Sequence, residues 1–257
     1  MSENKVATKE QAGALTAATN LEDWGGGQIV TSNDIIIPKI LPQNFMSEKV
    51  KAGVSKYGEF RDTSTNQLFG DLETPFEFIP FYMEKKWYEF DIITNKAGAK
   101  KREFSRVTPI QDNATKPGYN DDLKYADVGV ERDRVMDFYV LIPGEIAKGI
   151  SMPYVISFRR TSLKAGKKLA SQMFLANARA GKVPAAVAMK LFGKSVQNDD
   201  GEYVVQDVLP SREAKGEEIE ECLKWLKLVR AGQTKVMDDD VVAEAPVKNS
   251  GADFGKF

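Results

Sequence analysis

The chain contains no histidine. Without an imidazole there can be no Ser-His-Asp or Cys-His catalysis, no His-ligated zinc, and no general base of the kind that titrates near neutral pH. There is a single cysteine, Cys222, which excludes an intrachain disulfide frame and a cysteine-cluster metal site. Cys222 falls with Ile219, Leu223, Leu226 and Val229 on the apolar side of a predicted helix, where a structural thiol is expected rather than a nucleophile. No apolar run approaches the length of a membrane span. The polar N-terminus has no apolar signal-peptide core. These absences predict a soluble cytoplasmic protein without a membrane partner, and no cofactor and no His- or Cys-ligated metal is expected.

One further absence is local. Between Phe158 and Gly181 there is neither Asp nor Glu, while Arg159, Arg160, Lys164, Lys167 and Lys168 are packed into ten residues of it. Pro153–Phe158 is aromatic and β-branched, as a strand requires. Thr161 or Ser162 is then the predicted N-cap of a helix. A helix start carries partial positive charge and free N–H groups, so each cation there costs about 0.3–1 kcal/mol. Such crowding makes sense when an anion such as a phosphate is the missing partner. The helical wheel puts Leu163, Leu169, Ala170, Met173 and Phe174 on the core side, and Lys164, Lys167, Lys168, Ser171 and Arg179 on the outer side.

The net charge of −1 hides an uneven distribution. From residue 238 onward the chain holds Asp238, Asp239, Asp240, Glu244 and Asp253 against Lys248 and Lys256, leaving the preceding part slightly basic. Residues 1–33 are polar and glycine-bearing and are expected to form a flexible arm. Residues 34–232 are expected to form one domain, and 233–257 a disordered acidic tail.

Within the domain, short strands are predicted at 34–41, on both sides of a turn at Thr63–Asn66, along 75–93, at 100–110, 134–143 and 152–158, and as a hairpin at 189–197 and 202–209. A second helix, Gly216–Gly232, has acids early and bases late, the favourable sense for its dipole. Strands in this number, without regular strand–helix alternation, predict a mainly β (α+β) fold. The expected form is an OB-fold-like Greek-key barrel decorated with two helices.

Ala188–Ser195 satisfies a permissive phosphate-loop pattern, but it is bulky where backbone amides would have to wrap a phosphate, and no helix follows. Asp71, Glu84 and Lys86 have the spacing of a Mg²⁺-dependent nuclease triad, which defines an alternative function. The other lead is aromatic residues interleaved with cations. Lys86, Trp87 and Tyr88 lie on one predicted strand and Arg102 and Arg106 on its partner. Single-strand binders combine a basic groove with aromatic platforms. Because Trp87 and Tyr88 must face opposite ways, one of them is expected to be exposed.

The segments Ile36-Ile-Pro-Lys-Ile-Leu41, Phe76-Glu-Phe-Ile-Pro-Phe-Tyr82 and Ser157-Phe-Arg-Arg-Thr-Ser-Leu-Lys-Ala-Gly-Lys-Lys-Leu169, with the later hairpin, resemble phage-encoded single-stranded-DNA-binding proteins of replication modules. The resemblance implies an OB-like fold and coating of single-stranded DNA without catalysis in the host cytoplasm, with self-association compatible. It also implies contact with replication or recombination proteins through the tail, where Asp238, Asp239, Asp240, Phe254 and Phe257 would act. In that reading Arg159, Arg160, Lys164, Lys167 and Lys168 neutralise phosphates, Lys86, Arg102 and Arg106 extend the track, and Trp87 or Tyr88 stacks on bases. A third reading is an assembly or adaptor protein that does not bind DNA.

Overall fold

A computed structural model describes residues 35–44, 47–94, 100–109, 130–180, 184–198, 201–232 and 234–236. The protein is mainly β. In chain order the strands are β1 (Ile36–Ile37), β2 (Lys39–Pro42), β3 (Phe60–Asp62), β4 (Leu68–Gly70), β5 (Phe76–Thr94), β6 (Lys100–Pro109), β7 (Val130–Leu141), β8 (Tyr154–Arg159), β9 (Val187–Asn198), β10 (Gly201–Glu213) and β11 (Lys235–Val236). Two long helices, α1 (Leu163–Ala180) and α2 (Gly216–Arg230), follow β8 and β10 respectively. Hydrophobic periodicity places both, and dipole-matched charge also places α2. The expected arm at 1–33 and most of the expected tail lie outside the described residues.

Strand β5 organises the main sheet. One edge pairs with β7 over most of its length, while the other serves β9 near Phe76–Phe78 and β6 from Lys86 to Thr94. Proline is tolerated in a central strand only at an irregularity, and Pro80 sits at one, between Pro80 and Tyr82. The extra residue turns both Phe81 and Tyr82 toward the outer face, where their rings lie 6.4 and 5.4 Å from that of Tyr139.

The sheet path runs β10-β9-β5-β7-β8-β2-β3-β4. From β9 to β3 is five steps, on the order of 24 Å in a flat sheet. Yet a Cβ built on Gly193 of β9 would stand 3.2 Å from the Phe60 ring of β3. The sheet therefore curls on itself around Ile40, Phe60, Phe78, Phe138, Ile156, Phe158, Leu169 and Leu191.

The curl is not closed by a backbone ladder among the described residues. Instead, amides along the outer edge of β10 are met by side chains. Val204 N–H donates to Asn44 Oδ1 at 3.0 Å, Gln206 N–H to Ser162 Oγ at 3.0 Å, and Val208 N–H to Asp207 Oδ1 at 2.8 Å. Pro210 has no N–H to offer. This differs from a fully laddered barrel, and it leaves an edge that a foreign strand cannot readily extend. It also revises the expected cap, because the Ser162 hydroxyl is committed to β10.

Helix α1 packs against β7, β8 and β10. Glycine inside a helix is unfavourable, and here close packing demands it. A Cβ on Gly166 would lie 2.8 Å from Phe158 Cβ and 3.4 Å from Met136 Sδ. Helix α2 covers the outer face with Cys222, Trp225, Leu226 and Val229 against Ile37, Ile79, Phe81 and Leu141. Cys222 is buried, which pushes its thiol up to about 12. Arg212 pins the start of α2 by donating to both oxygens of Glu218, at 2.9 and 2.7 Å, and to Glu77 at 3.2 Å. The Arg212 guanidinium holds the Glu218 carboxyl below the usual glutamate range against the opposing effect of burial.

Replacing Gly166→Ala should therefore lower stability by about 1–3 kcal/mol, although alanine is the better helix former, as read by urea denaturation. Glu218 stays ionised to a lower pH when folded than an ordinary glutamate. Its contribution is complete above the ordinary glutamate range and fades as pH falls through the lowered value. Thermal unfolding from neutral to strongly acid pH should show Glu218→Gln destabilised at neutral pH by roughly 1–3 kcal/mol, and losing less additional stability on acidification than wild type.

Candidate functional site

The turn from β8 into α1 gathers the cations of the acid-free segment. Arg159 ends β8 and is half-buried. Arg160 opens a 3-10 turn, Arg160–Ser162, with a left-handed φ of 47°. Its Nε donates to Asp133 Oδ2 at 2.9 Å. Lys168 is half-buried, with Nζ 3.4 Å from Asp207 Oδ1, and Lys194 of β9 approaches the other carboxylate oxygen at 3.6 Å. Burial pushes the Asp207 carboxyl up, but the Val208 amide and Lys168 more than reverse this and hold it below the usual range. Lys164 and Lys167 are exposed and form no ion pair among the described residues. Of the five predicted phosphate ligands, then, the exposed Arg160 and the half-buried Lys168 have carboxylate partners within the fold, and Lys164 and Lys167 are exposed with no carboxylate partner among the described residues.

The second predicted cluster is corrected by the structure. Trp87 and Tyr88 do face opposite ways, but both are buried, at 4% and 2% exposure. Arg134 lies over the Trp87 ring at 6.0 Å, and Lys39 Nζ donates to the Tyr88 hydroxyl at 2.7 Å. The reason is the position of β5, which is flanked by β6 and β7 and covered on both faces. Neither ring is a free stacking platform. Lys86 is likewise turned inward, 3.1 Å from Glu84 and 3.2 Å from the fully buried Asp137, and is not placed to meet a phosphate. Ser157 Oγ donates to Asp137 at 2.6 Å and the Tyr139 hydroxyl to Glu84 at 3.2 Å. Arg102 and Arg106 sit on β6 opposite Ile92 and Glu89; their side chains are outside the described residues. So are Arg179 as a side chain and Asp238, Asp239, Asp240, Phe254 and Phe257.

The nuclease triad does not assemble. Asp71 lies in the turn before β5 and accepts from the amides of Glu73 and Thr74. Glu84 and Lys86 are eight or more residues into the strand, on the order of 25 Å further along. No group of three or more potential metal ligands occurs among the described residues. The permissive phosphate-loop stretch is strand β9 throughout.

Two features are not anticipated by the sequence. Phe174, placed on the core side by the wheel, is 71% exposed, and Leu175 beside it is 38% exposed. The β9–β10 hairpin also carries Lys190, Phe192 and Lys194 on its outward face, with Lys194 Nζ 5.5 Å from the Phe192 ring. Strand alternation at i, i+2 and i+4 is the signal for the second. For Phe174 the only signal is that its wheel position lies at the margin between the two faces.

The chain belongs to the Pam3 phage gp34-like protein family, whose model matches residues 6–235. No curated protein and no solved structure matches it. No helix among the described residues is long and apolar enough to cross a membrane.

Removing the cation from the inward cluster leaves Asp137 buried with its charge uncompensated. Lys86→Met should cost about 3–5 kcal/mol in chemical denaturation, so any loss of ligand binding in that variant would track loss of fold.

Proposed function

We propose that this member of a phage protein family binds single-stranded DNA through the outward face of α1, without catalysing a reaction on it. The observation that carries the reading is the acid-free, solvent-facing line of Lys164 and Lys167 at the start of that helix. Its carboxylate neighbours lie at the flanks, Asp133 with Arg160 and Asp207 with Lys168. Exposed cations held this way attract a polyanion and release its counterions on binding.

Strand order lends further support. Taken from β5, the path goes to β7 and β8, passes through α1, and returns as β9 on the other edge of β5 with β10 beyond it. We read that order as consistent with a partly open OB-type Greek-key barrel, a frame used for oligonucleotides. The side-chain hydrogen bonds from β10 to Ser162 and Asn44 stand where such a barrel would close. Under this reading the acidic, phenylalanine-bearing tail from Asp238 to Phe257 serves as the docking segment for replication or recombination proteins.

The test is fluorescence anisotropy with a labelled oligo-dT strand and a matched duplex across a salt series. Wild type should prefer the single strand and leave it intact with Mg²⁺ present. The double variant Lys164→Ala/Lys167→Ala should bind more weakly and reduce the salt slope by up to about 1.4, roughly 0.7 for each phosphate no longer neutralised. Equal affinity for duplex and single strand, or an unchanged slope in the variant, would remove the reading.

A further inference from the structure

The outward face of α1 does not end at its cations. Lys167, Ser171 and Phe174 follow one another at helical spacing, with Lys164 and Leu175 alongside, and all five are exposed. From Lys164 to Phe174 the line runs about 15 Å. Singly exposed apolar side chains are ordinary on a protein surface. What sets Phe174 apart is its 71% exposure beside a second exposed apolar residue, at the end of a cationic row whose own helix supplies no carboxylate. A phenyl ring left in water forgoes roughly 1.5–3 kcal/mol of burial. The core side of α1 is already filled by Ala165, Gly166 and Leu169.

We propose that Phe174 is a stacking platform for a nucleobase, so that a single strand runs along α1 with its phosphates near Lys164 and Lys167 and a base against the ring. The inference rests on the reading of this face as a single-strand site. It assigns the aromatic role to a residue on the helix in place of the buried Trp87 and Tyr88. A flat π surface next to cations suits an unpaired base, which offers a π face whatever its identity. A paired base inside a duplex offers none from the side.

The experiment compares wild type, Phe174→Ala and Phe174→Trp against labelled oligo-dT and against an abasic oligonucleotide of the same length. The exposed position lets both variants keep the wild-type melting temperature. Phe174→Ala should weaken oligo-dT binding about five- to a hundred-fold with the salt slope unchanged, and should bind the abasic strand as wild type does. Phe174→Trp should retain affinity, and its added indole fluorescence should be quenched by oligo-dT. Equal loss on the abasic strand, or unchanged binding by Phe174→Ala with an unquenched Trp, overturns the assignment. A change in oligomeric mass without a change in DNA affinity also overturns it and marks the patch as a protein interface. If wild type itself fails to bind either strand, the underlying reading fails instead.

Discussion

Strand β5 has to satisfy two edges and two faces along a single 19-residue run. One edge is given to β7 almost throughout, while the other is divided between β9 and β6. The bulge at Pro80–Tyr82 resolves what a regular strand could not, since it accommodates proline and turns two successive aromatic side chains to the same outer face. The inner face then closes around the curled core. The outer face receives Tyr139, Leu141 and helix α2. The burial of Trp87 and Tyr88 and the partial burial of Glu84 and Lys86 follow directly from this central position.

The curl brings the outer edge of β10 beside Asn44 and Ser162, which meet it through side chains instead of another strand. Ser162 lies in the turn between β8 and α1. The same hydrogen bond that quiets the edge thus helps fix where α1 begins, while Gly166 fixes how closely the helix approaches Phe158. With its inner side held so tightly, α1 has no freedom to bury its outer residues. Its exposed row is a consequence of the packing beneath it.

Much of the element map is open to reading from residues alone. The hairpin turn at Thr63–Asn66, the long aromatic strand, the β9–β10 hairpin and both long helices announce themselves through alternation, turn residues, helical periodicity and, for α2, dipole-matched charge. The burial of Cys222 follows from its place on a helical wheel. These are local signals, set by neighbours one to four positions away. Misplaced side chains share one cause. Alternation says that Trp87 and Tyr88 point apart, but whether either side is open depends on how many strands flank β5 and what lies over it. A wheel says that Phe174 borders the apolar face, but the width of that face depends on how deeply Gly166 lets the helix sink onto the sheet.

Charge behaves the same way. The acid-free run from Phe158 to Gly181 is a property of the chain, as is the absence of histidine that rules out imidazole chemistry. Which of its cations acquire a carboxylate partner is a property of the fold, because Asp133 and Asp207 reach Arg160 and Lys168 from strands distant in sequence. Composition and short-range pattern settled the mainly β character, the helices and the basic segment, since hydrophobic period and capping act over a few residues. The open, side-chain-closed curl, the inward turn of Lys86 and the exposure of Phe174 were decided only by tertiary structure, because each depends on groups brought together from dozens of residues apart.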